Sequence, residues 1–229
     1  KWRLGYTDGA NIMYLKYEQL SASVQNMLEK DNWIFNTGNK LTSALDDGHS
    51  RAMYSVFASA QLAYDEWLSL DITARNDWSS TLPKKNNSFF YPSASLSWVF
   101  SDFMRSIDHK LPSWITFAKL RVSAAQVGKD PAPYNLYNVR KYQFEMGNRK
   151  PINNTIKLNA NLKPEIKTSY EVGVDMKFLD NRLGFDFTYY YNTTKNQAML
   201  VDASSPWTQQ WVNAGKINNT GVEFMLYGT

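Results

Sequence analysis

Residues 169–194 read SYEVGVDMKFLDNRLGFDFTYYYNTT. Between Tyr170 and Phe178 every even position (Tyr170, Val172, Val174, Met176, Phe178) is apolar or aromatic, and the odd ones (Glu171, Gly173, Asp175, Lys177) are small or charged. After the short connection Leu179-Asp180-Asn181-Arg182 the alternation resumes, with Leu183, Phe185, Phe187, Tyr189 and Tyr191 on one side and Gly184, Asp186 and Thr188 on the other. A period of two places successive side chains on opposite faces of an extended chain. The segment therefore reads as an antiparallel hairpin with one apolar and one polar face.

The same period recurs upstream and downstream. SRAMYSVFASAQLAY sets Val56, Ala58, Ala60, Leu62 and Tyr64 on one face, and after Asp65-Glu66 come Leu68, Leu70, Ile72 and Ala74 against Ser69, Asp71, Thr73 and Arg75. YPSASLSWVF opposes Ala94, Leu96, Trp98 and Phe100 to three serines, FAKLRVSAAQV opposes Leu120, Val122 and Ala124 to Lys119, Arg121 and Ser123, and TGVEFMLYG supplies Val222, Phe224 and Leu226. Seven strands are expected, near 51–64, 67–79, 91–101, 114–127, 167–179, 182–195 and 212–227. Residues 1–49 read as a loop or strand-entry region outside the membrane, with a short helix in KYEQLSASVQNMLEKDNW, where Leu20, Val24, Met27 and Leu28 share a helical face. Residues 50–229 read as one wall of antiparallel strands with the loops that join them.

The links between strands alternate in length. The first, third and fifth run to at most about fifteen residues, the third passing through Ser101 to Leu111, whereas the second, fourth and sixth are generally longer and rich in Asn, Pro and aromatics, the longest running from Gly128 to Glu165. Short turns at one edge and long loops at the other are the asymmetry of an outer-membrane β-barrel. Periodicity alone fits a soluble β-sandwich carbohydrate-binding module as well, with the apolar face packed inward. Aromatics at strand ends (Tyr64 and Trp67, Trp98 and Phe100, Tyr189 to Tyr191) favour the barrel, because rings collect where a bilayer meets water.

Composition narrows the functions. The 229 residues include no cysteine, so a thiolate metal site or disulfide framework is excluded, and the two histidines, His49 and His109, are too far apart in sequence to suggest a metal cluster or a nucleophilic triad. Neither an enzyme nor a cofactor is expected. A net charge of +4 comes from scattered cations rather than a basic stripe, which disfavours nucleic acid as a partner. The mean hydropathy of −0.48 and the lack of a long apolar run exclude helical membrane spans, but barrel strands need only about 9–11 residues with one apolar face. The first residues, KWRLGYTDG, carry no signal segment.

Several phrases go beyond pattern. FFYPSASLSWVFSDFM with KLRVSAAQVG, NANLKPEIKTSYEVGVDMKFLDNRLGFDFTYYYNTTKNQ and VNAGKINNTGVEF, in this order, resemble the SusC-like TonB-dependent transporters over about residues 50–229. The most specific stretches are Asn161-Leu162-Lys163-Pro164-Glu165 and Asn213-Ala214-Gly215-Lys216-Ile217 with Gly221-Val222-Glu223. The resemblance implies a plugged barrel of about 22 strands in the outer membrane of a Gram-negative cell. It also implies import of oligosaccharides or peptides with a SusD-like surface lipoprotein, driven through TonB. On that basis this chain is expected to be a segment of barrel wall, with plug and remaining strands lying outside it and the rest of the barrel, the plug and membrane lipid as its partners.

Two sets of candidate site residues follow. Asp71, Arg75, Lys119, Arg121, Glu171, Asp175, Lys177, Arg182 and Asp186 fall on the polar side and are expected to face the lumen, paired with each other or with the plug. Tyr134, Tyr137, Tyr142, Phe144, Trp207 and Trp211 lie in the long links, where flat rings meet a sugar or peptide first. Glu165 of the LKPE stretch reads as part of a turn that restarts strand pairing after a loop, not as a catalytic carboxylate.

Overall fold

The computed structural model describes the chain except residues 29, 32–37, 138–140, 146, 147, 153 and 229. The hairpin that opened the sequence reading is β9 (Glu165–Phe178) and β10 (Leu183–Lys195), in a register that sets Phe187 opposite Val174 and Asp186 opposite Asp175. Leu179, Asp180 and Asn181 in the turn all have positive φ, the tight reversal expected of a short hairpin link. Around it stand β1 (Trp2–Met27), β2 (Gly38–Tyr64), β3 (Leu68–Ser79), β4 (Ser88–Val99), β5 (Ile115–Lys129) and, last in the chain, β13 (Lys216–Gly228). These eight form one antiparallel meander in the order β1-β2-β3-β4-β5-β9-β10-β13.

Three sequence expectations change. The helix expected across 16–33 is instead strand as far as Met27, paired with β2 in antiparallel register, so the sheet has eight strands where seven were expected; residues 29, 32 and 33 of that stretch lie outside the described residues. β4 stops at Val99, and Phe100, expected in the strand, begins a seven-residue helix, α1 (Phe100–Ser106), in which Arg105 pairs with Asp102 at 2.9 Å. The run at 212–227 is two strands, because Gly215 adopts a φ of +84° and breaks it into β12 (Gln209–Asn213) and β13.

Turns at 65–67, 100–114 and 179–182 lie along one edge of the sheet, and the long links leave from the other. Those links carry small sheets of their own: β6 (Lys141–Glu145) with β7 (Asn148–Ile152), and β11 (Ala198–Asp202) with β12 and β8 (Ile156–Lys157). β1 and β2, at 26 and 27 residues, are more than twice the roughly 9–11 needed to cross a bilayer, so their hairpin continues well beyond one at the loop edge.

The sandwich alternative fails on burial. Its apolar face would need a second sheet, yet Leu4, Ile72, Leu96, Val122, Val172, Phe187 and Phe224 on that face are all exposed. Among the described residues only Leu82, Phe89, Ala118 and Leu162 are buried hydrophobics, far too few for a water-soluble domain of this length. An unpacked face of this size is tolerable where the surrounding medium is itself apolar.

Candidate functional site

The polar face of the sheet is built from residues that alternate with the apolar ones, and neighbouring strands bring opposite charges together. The Arg121 guanidinium, from β5, donates to both carboxylate oxygens of Asp186 on β10, at 2.8 and 2.6 Å, across the width of β9, where Gly173 leaves the space it occupies. Arg75 donates to Asp77 at 2.8 Å and to Ser55 at 3.0 Å, and the Tyr91 hydroxyl donates to the other oxygen of Asp77 at 2.6 Å. Asp71 accepts from Gln61 at 2.8 Å. Arg121–Asp186, Arg75–Ser55 and Gln61–Asp71 bridge strands, and Arg75–Asp77 lies along β3 itself.

The remaining candidates differ. Lys119 stands opposite Asp175 in the register, Lys177 rests over the Phe117 ring at 5.4 Å, and Glu171 is exposed between Ser123 and Tyr190. Arg182 is not on the strand: β10 starts at Leu183, and Arg182 closes the turn by donating its backbone N–H to the Leu179 carbonyl at 3.2 Å. Its expected position on the polar face is corrected on that account.

The loop aromatics divide into two kinds. Tyr134, Tyr137 and Tyr142 are about 60% exposed, at 61%, 64% and 57%, and Tyr142 sits on β6 opposite Pro151. Tyr134 is held by its hydroxyl, which accepts from the Ser50 N–H at 3.2 Å; this bonding to Ser50 lowers the phenol below its ordinary pKa. Trp207 is half-buried, and Trp211, on β12, packs against the small core of Leu82, Phe89 and Leu162. Phe144 falls on β6, but its side chain lies outside the described residues. Three tyrosines thus stand out from the loops, while Trp211 holds them together.

Sequence reasoning missed the arrangement beneath the loops. Asp130, whose side chain is 3% exposed, accepts from Arg51 at 2.5 Å, from Thr81 at 2.8 Å and from Ser79, joining β2, the β3–β4 link and the end of β5. The Phe89 ring lies on Gly128 so closely that a Cβ there would come within 2.3 Å of it. The two most specific sequence stretches meet here as well. The Asn213 side chain accepts from the Lys163 N–H at 2.8 Å and donates to the carbonyls of Lys163 and Asn196, at 2.9 and 2.8 Å, standing in for a strand neighbour. Leu162 is fully buried, and Asn86 donates to its carbonyl at 3.0 Å. No group of metal-binding side chains occurs among the described residues.

A single antiparallel meander with an exposed apolar face, two tight turns and a short helix along one edge and interlocked loops along the other is the architecture of a membrane β-barrel wall. The family described as TonB dependent receptor-like, beta-barrel, matches residues 2–229, and the chain belongs to it. It is 27% identical over 184 residues to TonB-dependent receptor P3 of Formosa agariphila, an alignment covering 76% of this chain and 18% of that protein. Among solved structures it resembles the RagAB peptide importer in the closed-closed state, with a TM-score of 0.86, 21% identity, all of this chain and 26% of that one. The ferric enterobactin receptor of Pseudomonas aeruginosa in complex with enterobactin is similar at a TM-score of 0.62 and 20% identity, over 97% of this chain and 30% of that one. The chain thus spans about a fifth to a third of the relatives it matches.

Proposed function

We propose that this chain forms part of the barrel wall of a TonB-dependent outer-membrane importer for oligosaccharides or peptides in a Gram-negative cell, performing no chemistry itself. In this reading residues 1–49 supply a wall strand and an external arm, and residues 50–229 the rest of the segment. The apolar face meets lipid and the polar face the lumen. The carrying observation is the membership of residues 2–229 in the receptor-barrel family, joined to an apolar face that no second sheet covers. The likeness to an importer described as RagAB supports a surface lipoprotein of the SusD kind as partner, with a plug and TonB supplying energy from regions beyond this wall.

Selectivity falls to the three projecting tyrosines, whose rings stand in solvent, while Arg121 and Arg75 of the polar face are neutralised by Asp186 and Asp77. The test is uptake by cells that depend on the intact receptor: loss of growth on a defined oligosaccharide or peptide after deletion, restored by the wild-type gene, supports the reading. Recovery of the protein from the soluble fraction without detergent would overturn it.

A further inference from the structure

Two long links, β3–β4 and β5–β9, leave strands that have a neighbour on both sides, so each is flanked by wall of this same chain. Residues 157–163 tie the two links together. The Asn159 N–H donates to the Asn135 carbonyl at 3.1 Å, next to Tyr134 and two residues from Tyr137, and Asn159 Oδ1 accepts from the Asn161 N–H at 2.8 Å. From the β3–β4 link, Lys85 donates to Asn161 Oδ1, and Asn86 donates to the carbonyls of Asn161 and Leu162 at 3.3 and 3.0 Å. One segment thus joins the two exposed rings of Tyr134 and Tyr137 to four exposed lysines, Lys84, Lys85, Lys157 and Lys163. The charge is one-sided. The one carboxylate of the two links whose side chain is described, Asp130, is buried and held by Arg51 at 2.5 Å. None of the four lysines forms an ion pair among the described residues, and the acceptor of Lys85 is a neutral amide. At the opposite edge, by contrast, Arg105, Lys110 and Arg182 of residues 100–114 and 179–182 are matched in number by Asp102, Asp108 and Asp180.

We infer that this part of the loop edge binds an anionic oligosaccharide, its sulfate or carboxylate groups against the four lysines and its sugar faces on the Tyr134 and Tyr137 rings. A surface of one sign focuses the field and concentrates a solute of the opposite sign. An ammonium is a compact point charge that meets a sulfate or carboxylate from any side. Exposed rings beside such charges fit a chain whose anionic groups are carried on flat sugar rings, whereas an extended peptide draws its affinity from main-chain bonds to a free strand edge. The inference deepens the importer reading above and rests on it, since it names the charge class of the solute that the loops meet.

The intact receptor carrying this chain is titrated calorimetrically with dextran sulfate, oligogalacturonate, neutral dextran and poly-glutamate of matched length. Both anionic sugars are expected to bind about tenfold more tightly than neutral dextran, and more tightly than poly-glutamate, at an ionic strength of about 0.02 M, with most of that margin lost at about 0.5 M. Lys84→Gln/Lys157→Gln removes two charges whose ammoniums make no hydrogen bond among the described residues, so the loop contacts are kept. It should weaken the anionic sugars about fivefold and leave neutral dextran unchanged. Equal binding of anionic and neutral sugars, tightest binding of poly-glutamate, no measurable binding of either anionic sugar, or no effect of the double variant overturns the anionic site while leaving the importer reading in place. Recovery of the receptor from the soluble fraction without detergent overturns both.

Discussion

Asp130 shows how much can depend on one carboxylate. It gathers an arginine from β2 and a serine and a threonine from the end of β3 and the link after it, and its replacement leaves Arg51, whose Nε is already unpartnered, with no counter-charge. Asp130→Ala should cost about 2–3 kcal/mol, less than a fully buried ion pair because Arg51 keeps 31% of its side-chain surface in water. Urea unfolding of the intact receptor in lipid vesicles measures it, and a change below about 0.5 kcal/mol would show that the cluster does not hold the loops. Asn213→Ala acts at the neighbouring junction. With its three main-chain bonds removed, the Lys163 amide should exchange with deuterium about tenfold faster, an effect a single hydrogen bond of about 1 kcal/mol can produce. Neither role was legible locally. Asn213 and the Asn161–Glu165 stretch stood out in sequence, but bonds spanning fifty residues carry no local signature, and Asp130 before a proline reads as an ordinary turn residue.

At the scale of the element, period two was enough wherever one face is apolar and the other polar. β9 and β10 were readable almost to the residue for that reason. β1 was not. Its first half alternates Trp2, Leu4, Tyr6, Ala10, Ile12 and Tyr14 on the apolar face, but Asp8 interrupts the run, and beyond Tyr14 both faces become mostly polar. There the helical spacing of Leu20 and Val24 competes with extended structure, and only pairing with β2, from Ser21 opposite Leu45 to Val24 opposite Leu41, decides between them. α1 escaped notice because its Phe100 continues the alternation of β4 by one residue. The two-face reading makes a sharp prediction on adjacent positions of β3. Ile72→Arg, on the apolar face and near mid-span, should destabilise the vesicle-inserted receptor by roughly 2–4 kcal/mol, whereas Thr73→Arg, on the polar face beside Ser93, should cost under about 1 kcal/mol. Equal costs would mean that the apolar face does not meet lipid.

For the whole molecule, the distribution of satisfied and unsatisfied groups separates wall from mouth. Along the polar face Arg121 is neutralised by Asp186 and Arg75 by Asp77, whereas Lys119, Glu171 and Lys177 have no ion-pair partner among the described residues. At the loop edge Trp211 and Leu162 are committed to packing, and Tyr134, Tyr137 and Tyr142 are left with their rings in solvent. Rigid aromatics of this kind lose little conformational freedom when a sugar face or peptide side chain stacks on them. The Tyr134→Ala/Tyr137→Ala double variant should therefore weaken ligand binding to the intact receptor about tenfold, the scale of losing one or two good aromatic contacts, with its unfolding midpoint unchanged within error. Glu171→Gln, which removes an exposed charge from the wall, should alter binding less than about twofold by the same measurement, calorimetric titration with oligosaccharide and peptide mixtures in turn. If Glu171→Gln proves the more damaging, recognition lies on the wall. The aromatic crown would then serve only to hold the loops in place, as Trp211 does.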